Sequence, residues 1–146
     1  MAKQFIAGIS LATVVLIAMP VFARAQGENA GAQNANIGQQ LYESHCAVCH
    51  GADAQGNGPL ASILKRKVPN LTLLQKNNHG VFPVQRVYEI IDGTKPIEGH
   101  GTPDMPAWGV EFMKEAPPFG GPVAKEEYVT AQILALIGYL AGIQAK

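Results

Sequence analysis

Apolar residues recur at helical spacing in three stretches of this chain and nowhere alternate over a length that would build a strand. Ile37 and Leu41, with the Gly38/Tyr42 pair, put an apolar side on a short helix running into Cys46. Val84, Val87, Tyr88 and Ile91 fall at i, i+3, i+4 and i+7, with Pro83 suited to the first helical position and Gly93 to a stop. Val129, Ile133, Leu136, Ile137 and Leu140 form the strongest stripe, with Glu126 and Glu127 expected in the helix's first turn and Gly142 near its end. A weaker helix is predicted from Asn70 to Lys76. The remainder reads as loop: Gly51–Pro59, Asn77–Pro83, Thr94–Gly109 and Val110–Val123. In the Val110–Lys125 stretch, Ala116-Pro117-Pro118-Phe119-Gly120-Gly121-Pro122 speaks against helix through the centre. Sixteen Gly and ten Pro in a helical chain imply few helices and long connections, so the predicted class is all-α. Loops that long need a surface to wrap.

The N-terminus has a different pattern. Lys3, a nearly continuous apolar run from Phe5 to Ala18, and Ala23-Arg24-Ala25 together read as an export signal spanning residues 1–25 and cut after Ala25. An uncleaved anchor is the alternative, since the run is almost long enough to span a bilayer. Pro20 and the small residues at the cleavage positions favour removal. Residues 26–36 are small and polar, expected to be a flexible start, and residues 37–146 suffice for one domain. Of the 11 basic residues Lys3 and Arg24 leave with the signal, while all 11 acids remain. A mildly acidic exported domain does not suit nucleic acid, and no membrane insertion is expected once the signal is gone.

Both cysteines lie in one motif, Cys46-Ala47-Val48-Cys49-His50. C-x-x-C-H is the attachment pattern of c-type haem: two thiols on one helical turn tether the porphyrin, and the adjacent imidazole reaches the iron. A thioredoxin-like dithiol would come after a strand, and none is indicated here. A zinc site would want a fourth ligand beyond Cys46, Cys49 and His50, and no second cluster supplies one. A disulfide closing so short a loop would stabilise little.

These residues resemble the class I, mitochondrial-type cytochromes c, from about Ile37 to the C-terminus. Gly38 and Tyr42 stand where that family has a glycine and an aromatic on its first helix. Leu136 and Tyr139 stand where its last helix crosses that glycine. The glycine-rich turn Gly51–Pro59 is similar to the family's, and the resemblance implies that the Pro59 carbonyl accepts the His50 Nδ1–H. Thr102-Pro103-Asp104-Met105-Pro106-Ala107-Trp108-Gly109 resembles the family's distal methionine motif. It implies Met105 as the sixth iron ligand opposite His50, and Trp108 as a packing residue beside the haem or a donor to a propionate.

Met113 is a competing methionine without that context, and His100 is the alternative distal histidine. His45 is expected at the surface, pointing away from the iron, and His79 in a turn. Lys65-Arg66-Lys67, the one basic run, reads as a solvated face or a partner-docking patch. The resemblance implies one covalent haem c and a non-enzymatic carrier of single electrons between redox proteins in the periplasm. A haem subunit of a dehydrogenase or oxidase, docked through Val110–Lys125, is the alternative. A gas-binding or catalytic haem protein would need a labile sixth position, which Met105 argues against.

Overall fold

The computed structural model describes residues 36–94 and 105–146. The expected signal at 1–25, nearly all of the expected polar start at 26–36, and His100 lie outside them. Helix α1 occupies residues 36–50 and is not uniform: a wide π-helical turn, Tyr42–Cys46, separates residues 36–41 from a final α-helical turn, Ala47–His50. The Ala47 N–H reaches back to the Tyr42 carbonyl to close the wide turn. Such turns insert a residue into the helix and re-aim the side chains beyond it, here those of the C-x-x-C-H motif. Ile37 is exposed rather than on the buried side, which is carried instead by Gly38 and Tyr42.

The glycine-rich segment after His50 folds over the end of α1 and satisfies carbonyls that a helix end leaves unpaired. Gly56 N–H donates to His50 O at 2.7 Å, Gly58 N–H to Cys49 O at 3.1 Å, and Leu60 N–H to Val48 O at 2.9 Å. This close approach requires glycine at position 58, where a Cβ would sit 2.6 Å from the Cys49 carbonyl carbon. Gly51 begins the turn at φ 84°, a conformation open to glycine.

Two 3-10 turns, Leu71–Leu73 and Lys76–Asn78, replace the helix expected over Asn70–Lys76. The Asn70 carboxamide oxygen accepts from both the backbone N–H and the hydroxyl of Thr72, at 2.9 and 2.7 Å, tightening the first turn. His79 takes the left-handed conformation that ends the second, a turn residue as expected. Helix α2 spans Val84–Asp92, with Pro83 as its cap and Gly93 ending it at φ 87°. Val87 and Ile91 face inward, while Val84 is exposed.

The largest correction concerns residues 108–123. Trp108–Glu115 is a helix, α3, and Gly121–Gly142 is a single long helix, α4. Only the short link between them is irregular. The prolines do not forbid this: Pro117 and Pro118 lie in that link, and Pro122 occupies the first turn of α4, where its missing N–H breaks no helical bond. Because α4 starts this early, Glu126 and Glu127 lie beyond its first turn and not at its positive end.

The four largest fully buried side chains are Tyr42 from α1, Phe112 from α3, and Ile133 and Leu136 from α4. Gly38 lets the α1 backbone approach α4: a Cβ there would collide with the Ala135 carbonyl. The Tyr42 and Tyr139 rings fill the side of this crossing at 5.2 Å between centroids. Gly109 serves α2 and α3 in the same way, since a Cβ on it would meet the Asp92 carbonyl oxygen at 2.7 Å. No strand occurs among the described residues, and the fold is all-α and cytochrome c-like.

Candidate haem site

Residues from all four helices meet around a single cavity of about 350 Å³, within the usual range for cofactor sites. Cys46 and His50 enter from α1, Met105 from the approach to α3, Trp108 from α3 itself, and Val87, Ile90 and Ile91 from α2; Leu136 and Leu140 close it from α4. His50 and Met105 are 55 residues apart in sequence and face the same space. His50 is the one buried polar side chain among the described residues, 7% exposed. The walls are otherwise mostly apolar, with Asn77, Asn78 and the exposed Arg86 also contributing.

Cys46 and Cys49 are free thiols, so no disulfide competes for them. Burial, reinforced by Cys49, pushes the Cys46 thiol up to about 12, which holds it neutral at physiological pH. Among the described residues, no three His, Cys, Asp or Glu side chains converge as a metal cluster. The donor set instead fits haem c: one imidazole, one thioether, and a thiol on the wall of a largely apolar cavity.

Tyr42 lines the cavity and uses its hydroxyl to donate to the Gly51 carbonyl at 2.6 Å. Burial first, then Cys46, raises its pKa well above the ordinary tyrosine value, so the donor stays protonated. This bond ties the turn after His50 to the helix carrying it. Pro59 sits between Gly58 and Leu60, both bonded to the last turn of α1, and thus lies against the motif.

His45 departs from expectation. It is half-buried and packs against Trp108 at 4.9 Å and Phe112 at 5.7 Å between ring centroids. Trp108 and Phe112 lie 5.8 Å apart, so three rings join α1 to α3 beside the cavity. Phe112 and Arg86 do not stand out in the sequence pattern. A signal for Phe112 exists: Trp108, Phe112 and Ala116 repeat every four residues, but the Pro/Gly run downstream masks it. Met113 lies on the outer side of α3, more than a third exposed, and lines a separate groove beside Pro118 and Pro122.

No described helix is long and apolar enough to cross a membrane. No curated protein and no solved structure matches this chain. Its residues 33–117 match the family model described as cytochrome C oxidase, cbb3-type, subunit III. The chain belongs to that family of c-type cytochromes, electron-transfer proteins with covalently bound haem c.

Proposed function

We propose that this chain is an exported, class I type, monohaem cytochrome that carries single electrons between redox partners in the periplasm. The observation that carries this reading is the meeting of His50, Met105 and Cys46 on one cavity. In this reading residues 1–25 are a cleaved signal, 26–36 a flexible lead, and 37–146 the haem domain. Cys46 and Cys49 would hold the haem covalently, and His50 and Met105 would ligate its iron. Haem c supplies a one-electron Fe(III)/Fe(II) couple. Keeping both protein ligands in both states leaves little to reorganise, as suits a carrier rather than an enzyme.

The surrounding residues have supporting roles. The Pro59 carbonyl is the acceptor expected for His50 Nδ1 once haem is loaded; the bond is not made in this structure, where Nδ1 is buried, and on forming it would fix the tautomer and make the other nitrogen a better donor. Trp108, braced by His45 and Phe112, keeps the Met105 side packed. Arg86 provides a cation suited to a haem carboxylate.

Partner docking is assigned to the surface beside the tether. Val48, between the two cysteines, is exposed together with Leu60 and Ile63. The Leu60 N–H bond to Val48 O makes these neighbours, and exposed Lys65, Arg66 and Lys67 come next in the chain. A basic rim on a mildly acidic protein steers negatively charged partners. The double change Lys65→Glu/Lys67→Glu should slow oxidation of the reduced protein by ferricyanide roughly three- to tenfold at low salt. The difference should vanish in about 1 M salt, where screening acts over a few ångströms. A salt-independent effect, or none, removes the patch from the reading.

A haem subunit fixed in a larger complex is the second reading. It is favoured by the family description, which names an oxidase subunit, and by exposed Val110, Phe119 and Val123 on and between α3 and α4. Co-purification under mild conditions separates a fixed subunit from a free carrier. The central test is a pyridine haemochrome assay with a visible spectrum on protein made in a strain that attaches haem c. One haem per chain, low-spin in both oxidation states and with a Met–iron charge-transfer band, is expected. Colourless protein, or a high-spin ferric form that binds CO rapidly on reduction, rejects the carrier.

A further inference from the structure

The last residues of the chain make a contact that the electron-transfer reading does not use. The Gln144 side chain donates from Nε2 to the Leu71 carbonyl at 2.8 Å and to the Leu140 carbonyl at 2.7 Å. Its Oε1 accepts from the Gln75 backbone N–H at 2.9 Å. One residue on, the Ala145 N–H donates to the Thr72 carbonyl at 2.8 Å. Leu71, Leu74 and Leu140 all line the cavity. A single half-buried amide therefore spends both of its donors and its acceptor joining two walls that lie about seventy residues apart in sequence.

We infer that Gln144 is a positioning residue for the haem cavity, clamping the Leu71–Gln75 wall to the end of α4 and keeping water from the space between. The inference rests on that cavity being the haem site. The wall is otherwise held by the Ala145 bond, by a Leu71 N–H donation to the Ala54 carbonyl at 2.8 Å and by packing of Leu71 and Leu74 on the core, and none of these reaches Gln75. It consists of two short 3-10 turns, whose hydrogen bonding is weak, and Leu71, Leu74 and Gln75 are only partly buried. Gln144 also lies beyond residue 117, where the family match ends, so the clamp is contributed from outside the matched region.

Two variants of the haem-loaded full chain test this. Gln144→Glu keeps the shape and the bond to Gln75 but turns a carboxylate toward two carbonyl oxygens. Gln144→Ala removes all three bonds. Both should speed hydrogen exchange at the Ala145 amide, which bridges to the Thr72 carbonyl, roughly tenfold or more, and Gln144→Ala should do the same at the Gln75 amide, as local opening becomes easier. Water entering beside the haem favours the more charged ferric state. At a fixed ambient potential the Fe(III)/Fe(II) ratio should therefore rise about three- to tenfold, with haem content unchanged. If the alanine variant fails to accumulate, the isosteric glutamate variant carries the test.

A merely structural clip would lower unfolding midpoints equally in both oxidation states and leave the ratio unmoved. That result overturns the inference, as does an unchanged exchange rate. A colourless wild-type protein would instead reject the haem site itself, whereas a coloured wild type with unmoved variants rejects only the role of Gln144.

Discussion

Exchanging Met105 for histidine will lower the midpoint potential by roughly 0.2 V, a substantial part of the ~0.8 V range over which axial ligands set haem potentials. The cause is the donor. A thioether is soft and neutral and favours Fe(II), whereas imidazole is a stronger σ-donor and stabilises Fe(III). Met105→Ala should go further, leaving the sixth position to water or an added ligand and abolishing the Met–iron charge-transfer band. Met113→Ala is the control: that side chain lies on the outer side of α3, away from the cavity, and its removal should leave spectrum and potential alone. A Met105 variant with wild-type absorption and midpoint would defeat the ligand assignment. Because Met105 and His50 share one cavity, the fold would then need another donor, and among the described residues no second methionine lines it.

Adding one methyl group at Gly38 should cost about 2 kcal/mol or more, even though alanine is the better helix former by up to ~1 kcal/mol. The added carbon would strike the Ala135 carbonyl, with the carbonyl carbon at 2.7 Å and Tyr139 Cβ at 2.9 Å. The carbonyl belongs to the backbone of α4, so relief requires α1 and α4 to separate. Separation would open the contact between Tyr42 and Tyr139. A thermal melt of haem-loaded Gly38→Ala should show a fall of about 5–10 °C for a domain of this size. The same change at Gly138, exposed on α4 with nothing within 4 Å of the added carbon, should raise stability by up to ~1 kcal/mol. Equal responses at the two glycines would mean that the helix crossing does not depend on close approach.

The crossing and the motif are legible in the sequence because both are short-range or position-specific. Gly38 and Tyr42 meet Tyr139 as the resemblance implies, while the backbone that Gly38 approaches is that of Ala135 and Leu136 lines the cavity. His50 and Met105 reach a common cavity through the same reasoning, and the stop at Gly93 is a local effect of a residue that tolerates positive φ. Composition hides helix α3. The Pro/Gly run from Pro117 to Pro122 suggests a break across the whole stretch, whereas it occupies a link and the first turn of α4. Regular helical spacing around Cys46 would put His45 at the surface. The π turn Tyr42–Cys46 alters that spacing, and His45 meets Trp108 and Phe112.

Local chemistry thus carried the helical class, the placing of Cys46 and His50 together on the last turns of α1, and the glycine-rich turn that caps that helix, because each depends on neighbours within a few residues. Contacts between distant segments carried the rest. The ring cluster of His45, Trp108 and Phe112 exists only because α1 and α3 are brought side by side. The Gln144 clamp needs residues 71, 75 and 140 to converge on one amide. A hydrogen-bonding side chain near a chain end has many potential partners in an extended sequence, and burial against specific carbonyls selects among them.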